Sequence, residues 1–280
     1  MIYIGNSVTV GRELKYMKLC SIASGSSGNC IYIGHASTHL LVDAGISGKR
    51  IEQGLMQIGI NPKELSGILV THEHTDHVQG VGILVRKYGI PIYCTVETFC
   101  AMKKGKVSIG KIDDILFQQI YPDQKWKIGE ITITPFSVSH DAANPVAYVL
   151  EAEGKKIGMV TDLGQYTNKT VAYLEKADIL YLESNHDENM LMVGGYPYYL
   201  KQRILGKFGH LSNNMAAELL CHLYHKKLKY VILAHLSEKN NYPELAYETI
   251  RAELLLKVGK EAMPNIQIAP RDVISDMIEI

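Results

Sequence analysis

The densest chemistry in the chain lies in one stretch, Thr71-His72-Glu73-His74-Thr75-Asp76-His77. Imidazole nitrogens suit zinc, manganese and iron, and a carboxylate adds a hard oxygen ligand that also neutralises charge. Histidines at positions i and i+2 of an extended segment project the same way, so His72 and His74 can reach one ion. Asp76 and His77 follow where the chain turns into a helix, placed to reach a second. The stretch comes directly after Leu65-Ser66-Gly67-Ile68-Leu69-Val70, an apolar run that reads as a buried strand. A buried strand that ends in imidazoles and a carboxylate is poor packing and good coordination chemistry. That context weighs against the plain alternative, a solvated loop that happens to be rich in histidine.

Other residues able to bind metal or move protons fall at the ends of apolar runs. Asp43 follows Leu40-Leu41-Val42, His140 follows the run from Thr132 to Ser139, and Asp162 follows Ile157-Gly158-Met159-Val160-Thr161. Glu183 follows Ile179-Leu180-Tyr181-Leu182, and His235 follows Val231-Ile232-Leu233-Ala234. Aspartate and histidine often end strands as turn residues, so any single case is ordinary. Their repetition is not, because the rigid strands of a sheet are what hold a constellation of ligands in place.

The elements that must position these residues follow from apolar period and punctuation. Lys18 to Ile33 reads as two strands around the turn Ser24-Gly25-Ser26-Ser27-Gly28-Asn29, and Thr38 to Val42 as a third. Helical patterning covers about Ser47 to Gly59 and Val78 to Tyr88, with a short strand at Ile90 to Thr95 and a helix over 97–104. The middle is strand-rich: Ile115 to Ile120, Gly129 to Val138, Ala147 to Glu151 and Lys156 to Thr161. Two αβ units follow, with helices over Asn168 to Lys176 and Asn213 to His225 leading into strands Asp178 to Leu182 and Tyr230 to Ala234. Ser212 or Asn213 caps the second helix. A helix from about Pro243 to Val258 and a strand near Ile266 to Ala269 close the chain. Strands that come early and in the middle, with helices after each half, fit two sheets sandwiched between helices, an α/β architecture.

At 280 residues, 46% apolar and 21% charged, the chain has the make-up of a globular protein with ample core. Basic and acidic residues balance at 29 each, which removes a global electrostatic pull on nucleic acid and leaves only local basic patches. No apolar stretch is long enough to span a membrane, and residues 1–16 lack the basic-then-apolar pattern of a secretion signal. Met17-Lys18-Leu19 looks like a second start, so residues 1–16 read as an N-terminal extension ahead of one domain at 17–280. The five cysteines, Cys20, Cys30, Cys94, Cys100 and Cys221, form no CxxC pair. Their odd number argues against a disulfide framework and for reduced thiols in a cytoplasmic protein. Cys20 and Cys30 could face each other across a hairpin, with buried free thiols the expected state.

The order of Asp43, the His72/His74/Asp76/His77 loop, His140, Asp162 and His235 resembles the metallo-β-lactamase superfamily, and the likeness spans nearly all of the chain from about residue 18. The resemblance implies a four-layered αββα sandwich, one hydrolase domain over 17–280, and two divalent ions, Zn or Mn. It implies that His72, His74 and His140 bind one ion and Asp76, His77 and His235 the other, with Asp162 bridging them and Asp43 supporting the loop. Two ions roughly 3.5–4 Å apart lower the pKa of a shared water toward ~7, so a metal-bound hydroxide is the expected nucleophile, with Asp76 orienting it.

That superfamily acts on lactams, thioesters, lactones and phosphodiesters, so the fold alone names no substrate. Two stretches, Tyr181-Leu182-Glu183-Ser184-Asn185-His186-Asp187 and Gly209-His210-Leu211-Ser212-Asn213, look like motifs of its nuclease branch. By similarity to ribonuclease Z, Glu183 and His210 form a proton relay, a histidine held by a carboxylate that can protonate a leaving oxygen. Adding Ser24 to Asn29, Gly194-Gly195-Tyr196-Pro197 and Ala234-His235-Leu236-Ser237-Glu238-Lys239-Asn240-Asn241, the chain resembles the YycJ/WalJ nuclease family. That resemblance implies a 5′→3′ exonuclease on double-stranded DNA. The chain has neither the large inserted β-CASP domain of longer nucleases nor the arm that grips transfer RNA in ribonuclease Z, which argues against RNA processing. The rival readings are a small-molecule hydrolase, either a thioesterase of glyoxalase II type or a lactonase, and a metal-bound module without catalysis.

Lys201, Arg203 and Lys207, just before His210, are the candidate phosphate-contacting cations. Lys103, Lys104, Lys106 and Lys111 read equally well as solvated surface. His35, His39, His222 and His225 fit no ligand pattern, and His186 could either approach the site or cap a loop. The turn at Ser24 to Asn29 could cradle a phosphate with backbone amides, although a tight hairpin turn is simpler. Tyr196-Pro197-Tyr198-Tyr199 could stack bases or belong to a core or homodimer cluster.

Overall fold

The computed structural model describes residues 16–105 and 109–280. The extension expected at 1–16 therefore lies outside the described residues except for Tyr16, as does Lys106 of the first lysine cluster. The first half runs β1 (Met17–Ala23), β2 (Cys30–His35), β3 (Thr38–Val42), α1 (Gly48–Gln57), β4 (Leu65–Leu69), α2 (Thr75–Val78), α3 (Val81–Tyr88), β5 (Ile92–Cys94), α4 (Val96–Lys104) and β6 (Phe117–Gln119). The second runs β7 (Trp126–Ile128), β8 (Ile131–Ser137), β9 (Val146–Ala152), β10 (Lys155–Val160), α5 (Asn168–Leu174), β11 (Ile179–Glu183), α6 (Glu188–Val193), α7 (Tyr198–Leu205), α8 (Asn213–Leu223), β12 (Tyr230–Ala234), α9 (Pro243–Val258) and β13 (Asn265–Ile268). A final strand, β14 (Ile278–Glu279), returns to the first half.

Two seven-stranded sheets result, ordered β14-β1-β2-β3-β4-β5-β6 and β13-β12-β11-β10-β9-β8-β7. Side chains alternate across a strand, and here both faces are apolar. In β3, Leu40 and Val42 join the layer between the sheets, packing with Ile131, Ile133, Tyr148 and Tyr181 of the other sheet. Leu41 points the other way, into a layer with Ile51, Leu55, Val81 and Leu84 from α1 and α3. Leu180 and Leu182 of β11 likewise pack with Leu174, Leu220, Ile250 and Leu254 from α5, α8 and α9. Three apolar layers between four layers of structure, two sheets and the helices on either side, make the αββα sandwich, as expected for strands that must be covered on both faces.

Several boundaries differ from the sequence reading for identifiable reasons. The helix expected over 78–88 is two helices, broken at Gly80, whose N–H donates to Ala44 O at 2.7 Å. A Cβ on Gly80 would lie 2.4 Å from Ile46 O, so only glycine lets the chain turn there. The strand expected over 129–138 begins at Ile131, because Gly129 adopts φ 54° and closes a hairpin with β7, which was not anticipated. Ile115 and Leu116 form a short 3-10 turn ahead of β6. Helices α6 and α7, and the two-residue strand β14 that pairs with β1, were also unanticipated. Cys20 and Cys30 are buried free thiols, but Cys20 faces Tyr32 and Cys30 faces Ala23, so they do not oppose each other. Cys100, by contrast, is exposed.

Candidate metal centre

Strands β3 and β4 run parallel in one sheet, and β10, β11 and β12 run parallel in the other. Their C-terminal ends release the chain into one crevice, carrying Asp43, the His72–His77 loop, Asp162, Glu183 and His235, and β8 adds His140. At three of these ends the backbone turns through the left-handed region: Asp43 has φ 60°, Asp162 56° and His235 54°. Non-glycine residues adopt that conformation at a cost of about 1–3 kcal/mol, which surrounding structure must offset. Here hydrogen bonds hold it. Asp43 N donates to Leu69 O at 2.8 Å and His235 N donates to Ser24 Oγ at 3.0 Å.

Most of the imidazoles are fixed by one nitrogen so that the other is presented to the crevice. His77 Nδ1 donates to Asp43 Oδ2 at 2.7 Å, and Asp43 also accepts from Thr71 N and Thr71 Oγ1, both at 2.8 Å. His235 Nδ1 donates to Glu183 Oε1 at 2.8 Å, and His140 Nδ1 to Gly209 O at 3.1 Å. His72 Nδ1 lies 3.0 Å from Thr71 Oγ1. The inward atoms then crowd together: His140 Nε2 and His74 Nδ1 are 3.2 Å apart, His77 Nε2 and Asp162 Oδ2 3.1 Å, and His235 Nε2 and Asp76 Oδ2 3.4 Å. Outer partners that set the tautomer and aim the free nitrogen are a hallmark of metal-ligating histidines.

Ligand atoms of His72, His74 and His140 lie within 4.8 Å of one another, as do those of Asp76, His77 and His235, and those of His72, His77 and Asp162. A fourth such group is Asp162, Glu183, His210 and His235. His72 Nε2 and Asp162 Oδ2 are buried without a hydrogen-bond partner among the described residues. Leaving such atoms bare costs about 1–3 kcal/mol each, and an ion supported by these nitrogen and carboxylate donors would remove that cost. The residues present therefore fit divalent-metal binding.

The electrostatics agree. Burial alone would push the Asp162 carboxyl up, but the charges of His235 and His77 outweigh it and hold it well below the usual range. Burial disfavours charge on His77 and His235 too, yet the carboxylates around them prevail. His77 is raised well above its ordinary value by Asp162, Asp43 and Asp76, and His235 is raised to about 10 by Asp162, Asp76 and Glu183. His72, by contrast, is fully enclosed, and burial together with neighbouring His77 keeps it neutral.

Glu183 is the hub behind the cluster. Its Oε2 accepts from Leu163 N at 3.0 Å and Leu211 N at 2.9 Å, and its Oε1 from His235 Nδ1 at 2.8 Å and His210 Nδ1 at 2.9 Å. Burial opposes its charge, but His210, with the hydrogen bonds from His210 and His235, brings it down to about 2. Four donors saturate the two oxygens, so Glu183 orients two imidazoles rather than serving as a ligand itself. His210 is 15% exposed at the side chain, against 0% for Glu183, and so opens toward solvent.

The structure gathers Asp43, His72, His74, Asp76, His77, His140, Asp162, Glu183, His210 and His235 at one place. Arg203 reaches its edge, with Nε donating to Asp141 Oδ2 at 2.5 Å beside His140, while Lys201 donates to Met192 O at 2.6 Å and Lys207 lies over Phe208. Lys103 instead pairs with Asp114. His186 is buried, bridged to Ser212, with neither ring nitrogen bonded among the described residues. The Ser24–Asn29 turn proves to be a buttress, since Asn29 N donates to Asp76 O at 2.8 Å and Asn29 Nδ2 lies 3.1 Å from His77 Nε2. The sequence reads the Ser24–Asn29 turn as a phosphate cradle or a plain hairpin turn and gives Thr71 no role, so the part all three play in holding the ligand loop goes unseen there. Only contact with the ligand loop reveals it.

Residues 38–235 match the family described as the beta-lactamase superfamily domain. The chain is 42% identical over 238 residues to "Exodeoxyribonuclease WalJ" of Streptococcus pneumoniae serotype 2 (strain D39 / NCTC 7466), covering 85% of this chain and 88% of that protein. It is also 42% identical over 225 residues to "Exodeoxyribonuclease YycJ" of Bacillus anthracis, covering 80% of this chain and 84% of that one. Among solved structures, the metallo-beta-lactamase fold protein YhfI from Bacillus subtilis superposes with a TM-score of 0.68 at 19% identity, covering 94% of this chain and 99% of YhfI. No helix among the described residues is long and apolar enough to cross a membrane. With its fold, its ligand cluster and these matches in agreement, the chain belongs to the beta-lactamase superfamily.

Proposed function

We propose that the chain is a divalent-metal-dependent phosphodiesterase, an exodeoxyribonuclease that degrades double-stranded DNA in the 5′→3′ direction, with residues 17–280 as one hydrolase domain. The observation that carries this reading is the Glu183–His210 pair, 2.9 Å apart, opening onto the histidine–aspartate cluster. Similarity to relatives named as exodeoxyribonucleases supports a DNA substrate. Polarity and duplex preference rest on the resemblance of the Ser24–Asn29, Glu183–Asp187 and Gly209–Asn213 motifs to that nuclease family.

His72, His74 and His140 would hold one ion and Asp76, His77 and His235 a second, with Asp162 shared between them and Asp43 steadying His77. Bound there, two divalent ions supply Lewis acidity toward phosphoryl oxygens and acidify water near neutral pH. The chain's own residues do the rest. Asp76 Oδ2 faces His77 and His235, and Oδ1 remains to orient the attacking water. Glu183, ionised, takes the Nδ1 proton of His210 in a hydrogen bond, so Nε2 is the nitrogen that delivers a proton to the leaving oxygen. Lys201, Arg203 and Lys207 supply the cationic rim for flanking phosphates.

The test is cleavage of 5′-end-labelled duplex DNA by chelated protein to which Mn²⁺ or Zn²⁺ is restored, beside Asp162→Ala. Short labelled products that need metal and vanish in the variant are expected. Protein that holds two ions and cleaves no duplex DNA overturns the reading in favour of a small-molecule ester or thioester.

A further inference from the structure

Between Glu188 and His210 the chain carries Lys201, Arg203 and Lys207 and no aspartate or glutamate, in a protein whose net charge is zero. The same segment presents bare aromatic rings. Tyr199 is 74% exposed and Phe208 51%. Isolated exposed apolar side chains need no explanation, but Phe208 is held beside Asp141, and Tyr199 lies on the helix whose Arg203 binds that same residue. Arg203 clasps Asp141, with Nη2 donating to Oδ1 at 3.1 Å, and Asp141 Oδ1 lies 3.4 Å from His140 Nε2. Asp141 N donates to Phe208 O at 3.1 Å, which pins Phe208 beside the same residue. Tyr199 precedes Arg203 by one turn of α7, on the same side of the helix. Lys207 Nζ lies 5.0 Å from the Phe208 ring centre. Two rings with interleaved cations therefore flank the residue next to a proposed ligand.

We infer that Tyr199 and Phe208 form a stacking platform for unpaired bases of the strand being cut, with Arg203 and Lys207 beside them tracking its phosphates. This rests on the nuclease reading and sharpens it: the substrate enters the centre as a single strand or an opened end, not as an intact duplex. An aromatic face accepts any base, which suits an enzyme that must move along a strand regardless of sequence. A second copy of the chain would also cover apolar rings, but residues 189–209 carry three cations and no carboxylate of their own, and with Asp141 paired to Arg203 the face keeps a positive charge that repels its own copy. It complements a polyanion.

The experiment separates stacking from charge. Metal-free protein, which cannot cleave, is titrated by fluorescence anisotropy with labelled oligothymidylate and with an abasic oligomer of equal length. The two carry the same phosphates, and only one carries bases. Wild-type protein is expected to bind the base-bearing strand about tenfold or more tightly. Tyr199→Ala with Phe208→Ala should erase that preference while leaving abasic binding and the melting temperature unchanged, and Tyr199→Phe with Phe208→Tyr should restore it. Equal binding of both oligomers by wild-type protein overturns the platform. So does a preference that survives the alanine pair, including the case in which that pair only splits a dimer. Hydrolysis of bis(p-nitrophenyl) phosphate by metal-loaded wild-type protein, which needs no base, is read in parallel. Its presence without base preference sinks the platform alone, whereas its absence sinks the phosphodiesterase reading.

Discussion

His210 has neighbours of two kinds, and its role follows from which nitrogen each one takes. Nδ1 is bound to a buried, ionised Glu183 at 2.9 Å, and the ring is open to solvent on its other side. A general acid placed this way stabilises a departing oxygen in proportion to that oxygen's basicity, typically by 10²–10⁴-fold. His210→Ala is therefore expected to keep its metal content and lose about a hundredfold or more in rate on DNA, whose leaving alkoxide is strongly basic. On bis(p-nitrophenyl) phosphate, whose leaving phenolate needs no proton, the loss should be only a few-fold. Metal analysis and the two rates together check this. A uniform loss across both substrates would show that His210 acts by positioning or by holding an ion instead.

At the scale of elements, the site depends on how closely two loops interlock. Gly45, two residues beyond Asp43, approaches the ligand loop so tightly that a Cβ would lie 1.7 Å from Asp76 O and 2.7 Å from His77 N. The same loops are stitched by Gly45 N donating to Asn29 O at 2.7 Å and Ala44 N to His77 O at 2.9 Å. Gly45→Ala must push the Asp76–His77 backbone away, at a cost of about 1–3 kcal/mol, and should weaken binding of the ion that these two residues would share with His235. Gly195→Ala, where nothing lies within 4 Å of the added atom, is the neutral control. Thermal melts and metal titrations of both would decide it, and a Gly45→Ala protein with wild-type values in each would disprove the interlock.

This interlock also marks where sequence stops being legible. His72, His74, Asp76 and His77 could be read because ligand types crowd directly after an apolar strand, and the strand-end residues because each closes an apolar run. The supporting roles of Thr71, Ser24 and Asn29 could not, because a hydroxyl or amide looks the same in sequence whether or not a ligand loop lies against it. Nor could the left-handed backbone at Asp43, Asp162 and His235, which tertiary hydrogen bonds impose on residues with no intrinsic need for it. Helices α6 and α7 escaped for another reason. They are short, bury only Leu191 and Ile204 respectively, and so carry almost no apolar period.

Across the whole molecule, the cluster makes stability depend on what fills it. In metal-free protein, His77 and His235 are cations held between buried carboxylates, with His235 raised to about 10. A group whose folded pKa lies above its unfolded value of about 6.5 contributes its full stability below that lower value. The contribution is then lost progressively as pH rises toward about 10. Asp162 and Asp76, depressed in the folded state, contribute fully throughout this range and add no slope. Cys30 and Cys94, whose thiols burial pushes up, begin to destabilise the fold only as pH nears the ordinary thiol value of about 9. From pH 6.5 to 9 His77 and His235 therefore dominate, and His72, His140 and His186, which burial keeps neutral, offset only a small part of their loss just above pH 6.5. Each pKa unit corresponds to about 1.4 kcal/mol, or roughly 2–4 °C in the melting midpoint of a chain of this size. Chelated protein should accordingly melt several degrees lower at pH 9 than at pH 6.5. Protein saturated with Mn²⁺ or Zn²⁺ should not, because the same nitrogens then hold an ion and lose nothing when protons leave. Parallel curves with and without metal would mean that His77 and His235 are not the groups that bind it.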